Sequence, residues 1–374
     1  IPSGTLEMAR LHDWVELTGT TVRSVGSRGV ADLYQREWPT VRRKLLEDQL
    51  GAIEKEPKRW KRWIRTASAL AYGLTARLAP PRRLLFLIAA ALGLIGFFNL
   101  AGATREGAFG QGAVALFLSF AILIFLLSLE LIDKIHFRDE LELARELQAS
   151  LIPKEMPALP GLEVSAFNRI ANTVGGDLYD FVALPDGRLA MLFGDASGHG
   201  MAAGLVMAVA QAAFRTQLEV SADPDQVISG MNRLLCRTGG PRSFFSACYL
   251  LLEPDGHYTA VIAGHPPILH FDASASLARR LGCGSYPLGI KTPARWEQES
   301  GVLGEGDSLV FCSDGIPESR NAYDDVFGYD RLESMCARHA GTRDAAQRIY
   351  NEWLSFAGET IEDDVSIAVL RRSI

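Results

Sequence analysis

The sequence predicts an α+β fold, two antiparallel sheets with helices on their outer faces, joined to a helical hairpin that crosses a membrane. Three observations carry that reading. From Pro153 onward, short alternating stretches such as LEVSAFNRI, SFFSACYLLLEP and HYTAVIAG are separated by Gly and Pro, as strands and turns are. Between and after them stand three runs of helical period: MAAGLVMAVAQAAFRTQL from Met201, PDQVISGMNRLLC, and TRDAAQRIYNEWLSFAG. Finally, residues 84–103 and 113–132 are each apolar over the roughly 20 residues of helix that the hydrocarbon core of a bilayer requires.

In chain order, residues 1–79 form a polar N-terminal cytoplasmic segment, partly helical in pattern and too poor in apolar residues for a core. Its function is unreadable, and a chain opening on Ile1 rather than Met reads as trimmed or incomplete. The transmembrane hairpin occupies 84–132. Its first run carries no charge and its second only Glu130 near the end, whereas helices of soluble domains normally show a polar stripe. Lys58, Arg59, Lys61, Arg62, Arg65, Arg77, Arg82 and Arg83 precede the first span and the connecting loop holds only Arg105, so both termini are expected in the cytoplasm of an inner-membrane, two-span protein. Trp60 and Trp63 fit the headgroup level. Residues 133–152 form a linker helix with Phe137, Leu141, Ala144, Gln148 and Leu151 at alternating steps of four and three, a seam that suits a short parallel coiled coil and a homodimer. A plain connecting helix explains the same residues.

Bulk numbers narrow the function. A net charge of −6 argues against a nucleic-acid partner. Five cysteines, Cys236, Cys248, Cys283, Cys312 and Cys336, show no CxxC and no zinc spacing, and read as reduced core thiols.

The chemistry lies in aspartates at matching ends of predicted strands. In VGGDLYDFVALPDGRLAMLFGDASGHG the Pro185–Gly187 turn separates two apolar runs. A three-residue hairpin loop there pairs Leu184 with Arg188, and the same register sets Asp177 opposite Asp195. Carboxylates on opposed residues, with Cβ atoms about 4.5–5.5 Å apart, repel unless a proton or cation intervenes. SLVFCSD (308–314) and DDVSIAVLRR (363–372) repeat the pattern, with Asp314 at the end of one strand and Asp363 and Asp364 at the start of its antiparallel neighbour. Any single Asp could be a turn residue or a helix cap; four on one rim are harder to explain so.

From about residue 145 the motifs VGGDLYDF, LFGDASGHGMAAGLVMA, AGHPP, PLGI, FCSDGIPE and EDDVSIAVL resemble the PPM-type metal-dependent serine/threonine phosphatases, in their bacterial SpoIIE/RsbU-type branch. That resemblance implies an α–β–β–α sandwich over 153–374 and two divalent cations, Mn²⁺ or Mg²⁺, at one edge of the sheets. It places Asp177, Asp195 and the backbone carbonyl of Ala196 on one ion, and Asp195, Asp314 and Asp363 on the other. An all-oxygen donor set is what such cations prefer, and paired ions would make a hydroxide available for in-line attack on phosphorus. The four aspartates are therefore the candidate catalytic residues. Asp364 and His199 are candidates for supporting roles, with His199 and His265 read mainly as structural. Gly175 and Gly176 let the backbone turn into the site or mark a bulge. Where many relatives carry a phosphate-gripping arginine just before the first aspartate, this sequence reads ANTV, and Arg169 is only a weak candidate.

By the same resemblance the substrate is a phosphorylated protein, an anti-sigma factor antagonist. Two other enzyme readings start from short motifs: GGD is shared with diguanylate cyclases, but LYD follows it rather than EF, and the glycines of GDASGHG taken alone would also suit an ATP-binding kinase. A catalytically inactive membrane-anchored scaffold is the non-enzymatic alternative.

Overall fold

The computed structural model describes residues 59–102, 108–171, 173–240, 242–273, 278–282, 284–358 and 361–373. Most of the N-terminal segment, the loop with Arg105, and Cys283 lie outside the described residues. The chain divides into two units, Ile1–Lys134 and Ile135–Ile374.

In the first unit, α1 (Arg59–Arg77) precedes α2 (Pro80–Ala101), which starts with proline in its first turn, where a missing N–H costs nothing. The third helix, α3 (Ala108–Leu151), is 44 residues long and runs on into the second unit, so the second apolar span and the 133–152 linker are one continuous helix. Small residues let α2 and α3 approach closely: a Cβ on Gly96 would lie 2.9 Å from the Gly112 carbonyl, and Ser119 Oγ donates to the Ala89 carbonyl at 2.7 Å. At one end of the pair, Arg82 Nη1 bonds Glu130 at 2.9 Å and Asp133 at 2.6 Å. Phe97, Phe98, Phe117 and Phe120 face outward and exposed. Both helices are long and apolar enough to cross a membrane.

The second unit has four layers. One sheet has the order β2-β3-β4-β5-β8 and the other β1-β10-β9-β6-β7, and every pairing is antiparallel. The strands are β1 (Leu162–Arg169), β2 (Asp177–Ala183), β3 (Leu189–Ala196), β4 (Phe245–Leu252), β5 (His257–Ala263), β6 (Ile268–Phe271), β7 (Arg279–Leu281), β8 (Gln298–Val302), β9 (Ser308–Cys312) and β10 (Val365–Arg372). Helices α4 (Met201–Val220) and α5 (Pro224–Thr238) cover the first sheet, and α6 (Gly328–His339) and α7 (Ala345–Ala357) the second.

Period-two patterning builds this arrangement. Along β2 and β3, Tyr179, Phe181, Leu189, Met191 and Phe193 point between the sheets and meet Leu309, Phe311, Ala368 and Leu370. The alternate residues Leu178, Ala190 and Leu192 point outward to Met207, Phe214 and Met231 of the helices. One outward residue is charged: Asp180, with no exposure, accepts from Arg215 at 2.7 and 2.8 Å and from Gln211 at 3.1 Å, which pins α4 to β2. The start of α5 is capped as its sequence dictates, with Asp223 accepting from Gln226 N at 3.1 Å.

The predicted hairpin register is observed. Leu184 N donates to the Arg188 carbonyl at 2.8 Å around a turn with Gly187 at φ 87°. Strands β9 and β10 are antiparallel neighbours as expected, although Asp314 and Asp363–Asp364 lie just beyond the ladder rather than in it. The expected seam of the linker is partly spent on its own domain: Gln148 is buried, and Leu151 packs on the outer core of the first sheet.

Candidate metal centre

The first half of the site is the ladder end of β2 and β3, where Asp177 stands directly opposite Asp195. Asp177 is 2% exposed, and its Oδ2 is buried without a hydrogen bond. Burial raises its carboxyl well above the usual carboxylate range, helped by the charges of Asp195 and Asp364 and opposed by the Ser366 and Ser313 hydroxyls. Asp195 is pushed up to about 8 by burial first and then by Asp314, Asp363 and Asp364. Two opposed buried carboxylates cannot both ionise without a compensating cation.

The second half comes from loops at the ends of β9 and β10. Burial raises Asp314 to about 6, with further contributions from Asp363 and Glu318. Asp363 is exposed, and its Oδ1 accepts from the Asp364 amide at 2.8 Å. Asp364 is buried and both its oxygens are occupied: Oδ1 accepts from Ala171 N at 2.8 Å and Oδ2 from Gly176 N at 2.7 Å. It therefore ties the loop before Asp177 to the start of β10, and within the pair only Asp363 has an oxygen, Oδ2, without such a bond.

The two glycines before Asp177 are there for space. Neither has positive φ. A Cβ on Gly175 would collide with the Asp364 carboxylate, and one on Gly176 would lie 2.5 Å from Asp195 Oδ1 and 2.8 Å from the Ala196 carbonyl. The alternatives of a special turn or a bulge thus give way to close approach. Gln148 of α3 grips the same loop from behind: its Oε1 accepts from Gly175 N at 2.9 Å and its Nε2 donates to the Gly175 carbonyl at 2.6 Å. In sequence Gln148 reads only as a seam position.

At this end the apolar layer between the sheets turns polar. Asn168 Nδ2 donates to Ser366 Oγ at 2.7 Å, Ser366 N donates to Ser313 Oγ at 2.9 Å, and Ser246, opposite Asp195, bonds His265 at 2.8 Å. No single-residue signal in the sequence marks these serines, because a strand Ser reads equally well as surface. Other candidates sit elsewhere. His199 is exposed in the loop leading to α4. Arg169 ends β1, but its guanidinium bonds Tyr350 of α7 and lies 5.9 Å from that ring, where Phe167 also packs. That contact places the Arg169 guanidinium on α7, on the helix-covered face of its sheet.

Among the described residues, no three His, Cys, Asp or Glu side chains form a ready-made cage. The donors nevertheless fit hard divalent cations. Asp177 offers an unbonded buried oxygen, the Ala196 carbonyl lies beside Gly176 and Asp195, and burial, with added repulsion from neighbouring acids, raises both Asp195 and Asp314 above the ordinary carboxylate range. Mg²⁺ commonly takes only one or two carboxylates and keeps several waters, so a pair of acids per ion suffices without a closed cage.

Comparison with known proteins bears on the family and the fold. The phosphoserine phosphatase RsbU of Bacillus subtilis is 26% identical over 242 residues, 63% of this chain and 71% of that protein. The phosphoserine phosphatase RsbP of the same organism is 24% identical over 188 residues, covering 49% of this chain and 46% of RsbP, so the chain spans less than half of that relative. Among solved structures, the RsbU and RsbW domains of a Mycobacterium tuberculosis protein match at 27% identity and TM-score 0.51, covering 58% of this chain and 61% of that one. The SiaA-PP2C domain of Pseudomonas aeruginosa shares the fold, with TM-score 0.57 at 18% identity over 64% of this chain and 98% of the domain. The sequence profile of Stage II sporulation protein E (SpoIIE) matches residues 185–373, half of the chain. The chain belongs to the SpoIIE family of PP2C-type phosphatase domains, in its RsbU-like bacterial branch.

Proposed function

We propose that this protein hydrolyses phosphoserine or phosphothreonine in a partner protein, using a water activated by divalent cations, and does so anchored to the membrane. The observation that carries the reading is the Asp177–Asp195 pair, two opposed carboxylates on adjacent strands with a buried, unbonded oxygen between the sheets. Asp177, Asp195 and the Ala196 carbonyl would hold one cation, and Asp195, Asp314 and Asp363 the second. Bound there, Mn²⁺ or Mg²⁺ supplies an acidified water and neutralises charge on the phosphoryl oxygens. The chain's own part is positional. Asp364 and Gln148 fix the loop that carries Asp177. Attack on phosphorus breaks the bond to the seryl oxygen, which leaves with a proton, and no nucleophilic side chain is needed.

The anchoring reading rests on the two exposed apolar helices and on the basic residues before α2, which put both termini in the cytoplasm. The likeness to the phosphoserine phosphatase RsbU supports a phosphoserine substrate; that the substrate is an anti-sigma factor antagonist, in signalling to a sigma factor, rests on the resemblance of the sequence motifs to the SpoIIE/RsbU-type branch. The cyclase and kinase readings have no comparable support: GGD here opens a strand of a phosphatase-type sandwich. The test is to incubate the full chain, kept in detergent, with Mn²⁺ and a phosphoserine protein, with GTP in a parallel reaction. Phosphate release that chelation abolishes is expected. A cyclic dinucleotide from GTP, or no turnover of either substrate, would overturn the proposal.

A further inference from the structure

The buried histidine of AGHPP is the one titratable group in the polar layer with no part in the chemistry above. His265 lies between the sheets, its ring edge-on to Phe193 at 5.3 Å, while Cys248 of β4 bonds the next carbonyl, that of Pro266. Its Nδ1 is 2.8 Å from Ser246 Oγ, and Ser246 is the cross-strand partner of Asp195. Its Nε2 is buried without a closed hydrogen bond, and the Cys312 backbone, on the opposite sheet and two residues before Asp314, is the group that favours a proton on the ring. Burial pushes the imidazole down to about 3, so it is neutral and holds a single N–H.

Ser246 is the ring's one hydrogen-bond partner among the described residues, and a neutral ring that keeps its proton on the buried Nε2 accepts at Nδ1. Ser246 must then donate to it. A hydroxyl has only one proton, so Ser246 cannot also donate to the carboxylate it faces. We propose that His265 is a positioning residue that turns the Ser246 hydroxyl proton away from Asp195, leaving both Asp195 oxygens with free lone pairs for cations. This inference rests on the metal-centre reading. Without the ring, Ser246 would cap Asp195 with a hydrogen bond that a cation must displace.

The test is Mn²⁺ affinity of the full chain in detergent, read by calorimetry and by the electron paramagnetic resonance of free Mn²⁺, with no substrate present. His265→Phe should weaken binding about 10-fold or more, and His265→Asn, whose Oδ1 replaces Nδ1 as acceptor, should stay within about 3-fold of the parent. The double variant His265→Phe/Ser246→Ala should recover most of the loss, because no hydroxyl remains to cap Asp195. A merely structural histidine would not be rescued by a second deletion. Should His265→Phe fail to fold by circular dichroism, His265→Leu, which also removes the acceptor, with and without Ser246→Ala makes the same comparison. Unchanged affinity in the single variant, or a double variant as weak as the single, would overturn the inference alone. A parent chain that binds no Mn²⁺ would overturn the metal reading and this inference with it.

Discussion

The two halves of the site are built differently. On one sheet Asp177, buried, and Asp195, half-buried, sit opposed in a ladder, with their spacing fixed by a hairpin register that runs back to the Pro185–Gly187 turn. On the other sheet Asp314 and Asp363 lie past the ends of β9 and β10, and Asp363 is exposed. Burial and repulsion raise the first pair far more than they raise Asp314, whose shift is the smaller. The ladder half carries the larger electrostatic cost in the fold, whereas the loop half exposes Asp363 to solvent. A cation would thus repay the first half and recruit the second.

The largest expected effect tests whether both halves are needed for chemistry. Asp195→Ala should lower phosphatase turnover by at least about 10²-fold, as removal of a group that stabilises transition-state charge does. Circular dichroism should stay unchanged; retained Mn²⁺-dependent turnover would contradict the bridging role. Asp363→Asn should also impair turnover, but stability separates the halves. In chelator, Asp177→Asn should stabilise the fold by about 1–3 kcal/mol, since it removes a costly buried acid, whereas Asp363→Asn should change it by less than about 0.5 kcal/mol. Equal responses in denaturant melts would erase the distinction.

The same asymmetry fixes a pH dependence. Asp195 is raised from the ordinary carboxylate value to about 8, so between pH 4 and 8 the folded, cation-free protein holds protons that the unfolded chain has released. Its stability should therefore fall as pH rises through that window, and saturating Mg²⁺ should flatten or reverse the slope. Melting curves at fixed ionic strength, with and without chelator, measure both. A cation-free stability that climbs with pH across this range would show that the acids are not crowded.

Much of this was legible in the chain. Turn chemistry at Pro185–Gly187 predicts the hairpin, and a period of two then dictates that Asp177 meets Asp195, because one buried face leaves no freedom of register. The apolar runs and the three patterned helices were equally readable. Helix α6 and strands β6, β7 and β8 were not: the strands are three to five residues long, and a short apolar run carries no period. The choice between Asp363 and Asp364 was invisible because it depends on which carboxylate two distant amides, Ala171 and Gly176, happen to meet. The contact of Arg169 with Tyr350 was equally invisible, since one step along a strand moves a side chain to the other face.

Asp364 offers an intermediate effect. Asp364→Ala leaves the Ala171 and Gly176 amides without their acceptor, and losing both should cost about 2–4 kcal/mol of stability together with cation affinity. A variant as stable as the parent would show that those amides find other partners.

The smallest expected effect probes the loop from the helix side. Gln148 meets both the N–H and the C=O of Gly175, two residues before Asp177, and no other described side chain from α3 makes such a contact. Gln148→Leu keeps the volume and removes both bonds, so it should leave the ladder half of the site intact while letting the glycine loop drift. A sub-ångström shift there acts on one cation ligand through another residue, and turnover should fall about 10-fold, mostly in kcat, with cation affinity weakened alongside. Gln148→Glu, which keeps the acceptor for Gly175 N but loses the donor, should fall between the two. If Gln148→Leu lowered only the melting temperature and left turnover and cation affinity at the parent's values, the contact would be packing alone. If both fell together, a helix that begins in the apolar hairpin would end on the backbone that sets the metal centre, and its register would be part of the site.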